Sequence, residues 1–236
     1  MTEETALADI ALIRVVQPAT PSSFRLVCFP DSDNSTAYYL ALAELLLPTV
    51  ELLVVQYPEA GEPHVHGPPD DDPHRAETAA AALADSVLRS LAGWTGHRLA
   101  LFGHGSGAHL AQRVAERLER DTAAGPVTLF VSGSNAPHAR VPLGPPALGC
   151  RVVALAGDHD PRTTPAGVRG WRRCTSGRFD LEVLPGAREF LDTHRREVVN
   201  IVHDQLMSLS TDPSEHAGDL RKVTTLPEDH GKGAHQ

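Results

Sequence analysis

Short apolar runs alternate with longer amphipathic segments along most of the chain. Runs dominated by apolar and β-branched residues predict strands at 10–16, 24–29, 50–55, 99–102, 127–131, 151–156 and 179–184. Apolar residues at helical spacing predict helices at 36–47, 77–91, 108–124, 165–173 and 191–206. Strands that alternate with helices predict an α/β fold with a mostly parallel, doubly wound sheet.

The two ends of the chain depart from this alternation. The strands at 10–16 and 24–29 are separated by the turn-forming residues 17–23, and this spacing predicts a hairpin. After the last helix the sequence is polar and charged, with few apolar residues. We therefore expect one domain over residues 1–210, followed by a flexible tail at 211–236.

Composition limits the kind of partner. The formal charge of −9 and the isoelectric point near 5.8 argue against a nucleic-acid partner, which requires a basic surface. The sequence contains no apolar run of the roughly 20 residues that a membrane-spanning helix needs, and its first residues are acidic. We expect a cytoplasmic protein with no membrane partner. Its three cysteines, Cys28, Cys150 and Cys174, predict reduced and partly buried thiols.

An apolar strand turns through several glycines into a helix at residues 99–111. This sequence resembles the nucleophile elbow of α/β-hydrolases, in which the signature G-x-S-x-G places a serine at the apex of the turn. In this chain the apex residue is Gly105, and Ser106 lies one position later. A signature centred on Ser106 would need glycines where His104 and Ala108 stand. The pattern therefore predicts the architecture more clearly than the chemistry.

Several stretches together resemble the type II, stand-alone thioesterases of polyketide and nonribosomal peptide assembly lines. The matching stretches follow the family's order over residues 24–206: LVCFP from Leu26, VVQYP from Val54, LFGH from Leu101, FVSG from Phe130, APH from Ala136, AGDHDP from Ala156, GW at Gly170 and LPG from Leu184. The resemblance implies an α/β-hydrolase fold without a cofactor. It also implies that the partners are a polyketide or peptide intermediate, on a carrier protein or free, and a protein of the same pathway.

The same resemblance shows where this sequence departs from the family pattern. Gly105 stands where the family has its nucleophilic serine, and Arg188 stands where the family has its general-base histidine. Only the acid is retained, as Asp160. In addition, Asp31 and Asp33 occupy the loop that supplies the family's oxyanion hole, and the family's helical lid before residue 151 is shortened to a bridge rich in proline and glycine.

These replacements change what the site can do. A guanidinium stays protonated at accessible pH, so Arg188 cannot act as a general base. We expect Arg188 to pair with Asp160 through a charge-assisted hydrogen bond. Alternatively, it faces solvent and binds a phosphate or carboxylate together with the start of the elbow helix. We expect His104 to support the elbow structurally, and Ser106 to be an ordinary residue of the first helical turn.

Two further groups of residues have a structural and a functional interpretation. His64, His66, His74 and the acidic residues 70–72 are metal-ligand types, but loops of this composition are usually solvated, and we expect no metal. Trp94 and Trp171 are expected to be packing residues.

Three hypotheses about function follow. The leading one is a thioesterase-like protein of antibiotic biosynthesis that has lost hydrolysis and acts as an accessory or binding protein. The second is a cyclase, lyase or isomerase that uses Asp160, His104 and Arg188 for proton transfer and charge stabilisation without an acyl-enzyme. The third is residual thioesterase activity through Ser106.

Overall fold

A computed structural model describes residues 11–18, 20–31, 36–57, 73–94, 97–122, 125–137, 146–187 and 189–211. Its strands are β1 (Ala11–Arg14), β2 (Phe24–Phe29), β3 (Val50–Gln56), β4 (Arg98–His104), β5 (Thr128–Ser132), β6 (Arg151–Gly157) and β7 (Phe179–Leu184). Its α-helices are α1 (Thr36–Leu46), α2 (Pro73–Leu91), α3 (Gly107–Asp121), α4 (Pro165–Arg169), α5 (Phe190–Thr193) and α6 (Arg195–Thr211).

These strands form one sheet in the order β1-β3-β2-β4-β5-β6-β7. All neighbouring strands are parallel except β1, which runs antiparallel to β3 with Ala11 opposite Gln56. The predicted fold class, a mostly parallel sheet, is therefore confirmed.

The predicted hairpin between the first two strands is wrong. β2 has β3 on one side and β4 on the other, so neither of its edges is available to β1. All six residues of β2 are buried, as expected for a central strand with parallel neighbours on both sides. Residues 17–23 therefore carry the chain past β3 to the middle of the sheet instead of closing a tight turn.

Helices cover both faces of the sheet. On one face, α2 and α3 pack over a buried cluster that includes Val27, Leu101 and Val114. On the other face, α1 and α6 pack over a cluster that includes Leu26, Phe102 and Val202. Because alternate residues of β2 and β4 contribute to opposite clusters, the two apolar layers share the same central strands.

Several helices differ from their predicted bounds. α2 begins at Pro73, before the predicted start at residue 77. The elbow helix α3 ends at Asp121, before Gly125 and Pro126, and the Thr122 hydroxyl donates to the Leu118 carbonyl at 2.6 Å. The helix predicted at 165–173 is α4 followed by a 3-10 turn at Gly170–Cys174. The closing helix is divided into α5 and α6 because the backbone of His194 leaves the helical conformation between them.

Other predictions concern cysteines, membranes and the chain ends. All three cysteines are free thiols, as predicted. Within the described part of the chain, no helix has the length and apolar character needed to span a bilayer. The tail from residue 212 onward lies outside the described residues.

Two glycines fix how closely the turn between β4 and α3 packs. A Cβ atom on Gly107 would lie 2.2 Å from the Phe29 carbonyl oxygen and 2.8 Å from that of Pro30. A Cβ atom on Gly103 would lie 2.4 Å from the Ala108 Cα atom. Since both contacts are with backbone atoms, neither can be relieved by a side-chain rotation. These glycines therefore hold α3 against the ends of β2 and β4.

We predict that Gly107→Ala destabilises the protein by about 1–3 kcal/mol or more, the usual cost of overpacking. Gly93→Ala is the control, because nothing lies within 4 Å of a Cβ atom there. It should change the free energy of unfolding by less than about 0.5 kcal/mol. Urea denaturation followed by circular dichroism measures both variants, and equal stabilities would contradict the packing argument.

Candidate functional site

The predicted elbow is present as a sharp turn after β4. Gly105 follows the last residue of β4 and has a φ of 55°, in the left-handed region that glycine adopts without steric cost. Its N–H donates to the Ser132 carbonyl at the end of β5, at 2.9 Å. Among the described residues, only glycines have a positive φ. The apex of the turn thus has elbow geometry and carries no side chain.

Ser106 is the residue just before α3, and its hydroxyl is held by a carboxylate. The Oγ atom donates to Asp31 Oδ1 at 2.6 Å, and the Ser106 N–H reaches the same oxygen at 3.4 Å. Asp31 lies just beyond β2 and is only 8% exposed. A hydroxyl–carboxylate bond this short is charge-assisted. Asp31 therefore lies against the start of α3 and fixes the orientation of the Ser106 hydroxyl.

His104, the last residue of β4, is turned into the protein. It is 1% exposed, and its Nδ1 atom lies 3.1 Å from the Ser132 hydroxyl. A Cβ atom on Gly133 would lie 2.9 Å from the His104 ring, so the glycine leaves room for the imidazole. Burial lowers the pKa of His104 from its ordinary 6.5 to about 4, although the negative charge of Asp160 opposes this shift. The ring is therefore neutral at physiological pH.

Asp160 follows β6 and contributes a buried carboxylate to the same edge of the sheet. The side chain is mostly buried, and Oδ1 accepts the Arg162 N–H at 2.9 Å. The other oxygen, Oδ2, is buried and has no hydrogen-bond partner among the described residues. A buried carboxylate oxygen without a partner is unusual. Among the buried side-chain polar atoms of this site, it alone has no hydrogen-bond partner in the described part of the chain.

The structure therefore brings Ser106, His104 and Asp160 to one edge of the sheet but not into one catalytic chain. Ser106 bonds Asp31, His104 bonds Ser132, and Asp160 acts on His104 through its charge. Arg188 lies outside the described residues, so its pairing with Asp160 stays a prediction.

Some predictions fall wholly or partly on residues that are not described. Asp33, the residues 64–72 and the side chain of His74 lie outside the described part. Within the described residues, no three His, Cys, Asp or Glu side chains form a metal-binding group. Of the two tryptophans, Trp171 is fully buried, as predicted, and its Nε1–H donates to the Ser134 carbonyl at 3.0 Å.

Sequence reasoning missed Ser132, which bonds both the turn and the buried imidazole. The sequence contained a signal for it, because β4 and β5 are consecutive parallel strands whose carboxyl ends must meet. In the structure His104 and Ser132 are paired in register at those ends. The contact between Asp31 and Ser106 was also missed, since it depends on how closely α3 approaches the loop after β2.

Comparison with known proteins identifies the family. The sequence model of the thioesterase domain matches residues 24–155, which include β2 to β5, the elbow and the start of β6. The chain belongs to the thioesterase family. Thioesterase PikA5 of Streptomyces venezuelae is 30% identical over 260 residues, covering 88% of this chain and 90% of the relative.

Solved structures of type II thioesterases agree with this assignment. BorB, a type II thioesterase from the borrelidin biosynthetic cluster, is 27% identical with a TM-score of 0.69, covering 84% of this chain and 96% of BorB. RedJ, a thioesterase of the prodiginine pathway in Streptomyces coelicolor, is 28% identical with a TM-score of 0.63, covering 79% of this chain and 89% of RedJ. The predicted resemblance to type II thioesterases and the α/β-hydrolase fold are thereby confirmed.

We predict that the buried imidazole of His104 makes stability depend on pH. The pKa of His104 is about 4 in the folded protein and 6.5 when unperturbed, so the unfolded chain binds its proton first as the pH falls. The contribution of neutral His104 to the free energy of unfolding is fully present above pH 6.5. It is lost progressively as the pH falls towards 4. The loss between pH 7 and pH 4.5 should be about 2–3 kcal/mol.

The measurement is the free energy of unfolding in urea at both pH values. His104→Asn, whose amide can replace the contact with the Ser132 hydroxyl, should show a correspondingly smaller loss than the wild type. The argument is wrong if the two proteins lose the same stability on acidification.

Proposed function

We propose that this member of the thioesterase family acts in cytoplasmic polyketide or nonribosomal peptide biosynthesis as a non-hydrolytic accessory or binding protein. The observation that carries the proposal is the apex of the elbow. Gly105 has the left-handed backbone of a nucleophile position but no oxygen that could attack a thioester.

The neighbouring hydroxyl does not supply the missing nucleophile. Covalent catalysis requires a base within hydrogen-bond reach of the serine hydroxyl and oriented by a third group. Ser106 Oγ donates a hydrogen bond to the Asp31 carboxylate, whereas the imidazole of His104 contacts Ser132. An ordinary carboxylate is a far weaker base than an imidazole, so this pair favours a fixed hydroxyl over an activated one.

The charge beside the turn also opposes acyl transfer. Hydrolysis of a thioester passes through an intermediate with negative charge on oxygen, which is stabilised by N–H donors at the elbow. The Ser106 N–H is directed at Asp31 Oδ1 at 3.4 Å, and this buried carboxylate would repel an oxyanion bound nearby. The site therefore lacks the electrostatic environment that the reaction requires.

A shortened lid fits the same proposal. Only residues 133–150 join β5 to β6, and the described parts of this connection contain no helix. The alignment with PikA5 is longer than this whole chain of 236 residues, so the relative has residues that this chain lacks. A reduced lid would leave the carboxyl edge of the sheet accessible to a bulky ligand. We infer that the partner is a polyketide or peptide intermediate, presented by a carrier protein or free.

We predict that the wild-type protein and Ser106→Ala both hydrolyse acyl-pantetheine thioesters no faster than the uncatalysed background. The double variant Gly105→Ser with Arg188→His should gain at least about tenfold over that background, because it restores a nucleophile and a base on a retained fold. Adding Asp31→Asn should increase the rate further, since it removes the charge that opposes the oxyanion. Release of free thiol measures all four proteins.

The matched control is Gly105→Ala with Arg188→His, which changes both positions without adding a nucleophile. Hydrolysis by the wild type that Ser106→Ala abolishes would contradict the proposal and establish the residual thioesterase. Hydrolysis by the wild type that Ser106→Ala leaves intact would also contradict it and would require another nucleophile.

The second candidate function is acid–base catalysis without an acyl-enzyme, as in a cyclase, lyase or isomerase. The observation that favours it is the Oδ2 atom of Asp160, a buried carboxylate oxygen that has no hydrogen-bond partner among the described residues. Such an atom is suited to take a proton from a carbon acid or hydroxyl. Arg188 would then stabilise a developing enolate.

We predict that Asp160→Asn and Arg188→Ala leave the pathway product unchanged in yield and structure, because the proposed role needs no proton transfer. The measurement is the metabolite profile of a gene-deletion strain complemented with each variant. Asp192→Asn serves as the control, since Asp192 is exposed on α5 and contacts Arg195 at 3.6 Å. A product that lacks a ring or gains a double bond with Asp160→Asn alone would favour the enzyme over the accessory role.

A further inference from the structure

A cavity of about 300 Å³ lies at the amino-terminal edge of the sheet, opposite the elbow. β4 separates the two sites by about 20 Å, at roughly 3.3 Å per residue. The cavity lining includes Arg14 at the end of β1, Ser22 between β1 and β2, and Arg25, Glu51 and His97 at or just before the starts of β2, β3 and β4. None of these residues belongs to the candidate site described above.

The wall of this cavity carries an ion cluster with unequal charges. Glu51 on β3 accepts two hydrogen bonds from Arg25 on β2, from Nε at 2.9 Å and from Nη2 at 2.7 Å. The other Glu51 oxygen lies 2.5 Å from Arg14 Nε on β1. Two guanidinium groups thus share one carboxylate, and the cluster has a net charge of +1. Arg25 and Glu51 are almost completely buried, whereas the side chain of Arg14 is 31% exposed.

Trp94 holds both guanidinium groups in position. Its ring centre lies 4.9 Å from the Arg14 guanidinium carbon and 5.2 Å from that of Arg25, within the range of cation–π contact. Arg25 also donates from Nη1 to the Trp94 carbonyl. The positive charge is therefore fixed at the cavity wall before any ligand arrives, which lowers the entropic cost of binding one.

Two polar atoms of the cavity wall outside the ion cluster lack partners. Ser22 Oγ and His97 Nδ1 are buried and have no hydrogen-bond partner among the described residues. Ser22 is 7% exposed. Burial of a polar atom without a partner costs free energy, so such atoms commonly mark a place that a ligand or water fills. Both can donate a hydrogen bond, His97 in one tautomer or when protonated.

We propose that this cavity binds a small molecule through an oxyanion group, either a phosphate or a carboxylate. The guanidinium of Arg14, which has five N–H donors, would neutralise the anion, and Ser22 and His97 would donate to its remaining oxygens. A purely structural ion pair accounts for Arg25 and Glu51. It does not balance the second positive charge, and it does not account for the two unpartnered atoms beside the cluster.

The test is a titration of the purified full-length protein with inorganic phosphate and, in a parallel arm, with citrate. Ionic strength is held constant with potassium chloride. We expect a saturable rise in the melting temperature with at least one anion, because a ligand that binds only the folded state stabilises it. We also expect a change in tryptophan fluorescence with the same midpoint. Trp94 contacts Arg14, whereas Trp171, the other tryptophan, is fully buried. The arm that saturates distinguishes a phosphate from a carboxylate ligand.

Two variants test the assignment of residues. Arg14→Gln should weaken binding about tenfold or more, since it removes the charged donor. Ser22→Ala should weaken binding about three- to tenfold without lowering the melting temperature in the absence of anion, because the hydroxyl has no partner to lose. Arg178→Gln is the control, an exposed arginine on the approach to β7 that pairs with Asp180.

The outcomes separate the proposal from a general salt effect. Failure of both anions to give a saturable response overturns the proposal. It is also overturned if the wild type, Ser22→Ala and Arg178→Gln respond with the same midpoint. Should Arg14→Gln fail to fold, Ser22→Ala and its control still decide the question, since neither change removes a contact of the ion cluster.

Discussion

The architecture of the candidate site depends on how closely α3 approaches the ends of β2 and β4. Backbone atoms of Gly107 and Phe29 meet where any side chain would collide, and Gly103 packs in the same way against Ala108. Within this close contact, the turn between β4 and α3 passes through the left-handed conformation at Gly105. The elbow is thus set by backbone packing, and its shape does not require a nucleophile at its apex.

The polar groups near the elbow are paired in a way that fixes structure. Asp31 orients the Ser106 hydroxyl, and Ser132 holds both the Gly105 N–H and the imidazole of His104. Each contact links two neighbouring strand ends, so together they tie the loops after β2, β4 and β5 to one another. Among the buried side-chain atoms of Asp31, His104, Ser132 and Asp160, only the Oδ2 atom of Asp160 has no hydrogen-bond partner within the described residues. The site thus combines the geometry of the thioesterase family with different chemistry.

The opposite edge of the sheet shows another use of charge. There, a buried arginine, a buried glutamate and a partly exposed arginine cluster beside a tryptophan, and they join β1 to the middle strands. Taking such charges out of water is costly unless they are paired. An excess of one positive charge therefore favours the binding of an anion. The two edges of the parallel sheet therefore carry charge of opposite sign, with buried carboxylates at the elbow and an excess of guanidinium at the other edge.

The sequence by itself determined the alternation of strands and helices, the position of the elbow and the identity of the residues at its apex. These features are local, because apolar periodicity and glycine spacing act over a few neighbouring residues. The family resemblance extended this to Asp160 and to the departures at Gly105 and Arg188, since each lies within or beside a recognisable motif.

The tertiary structure decided which elements became neighbours. β1 pairs with β3 because β2 is enclosed between two parallel strands, a result that the turn-rich segment between β1 and β2 did not reveal. The contact of Ser106 with Asp31 and the cluster of Arg14, Arg25 and Glu51 join residues far apart in the chain. No short-range pattern encodes such contacts, because they depend on the order of strands in the sheet and on the distance at which backbones pack.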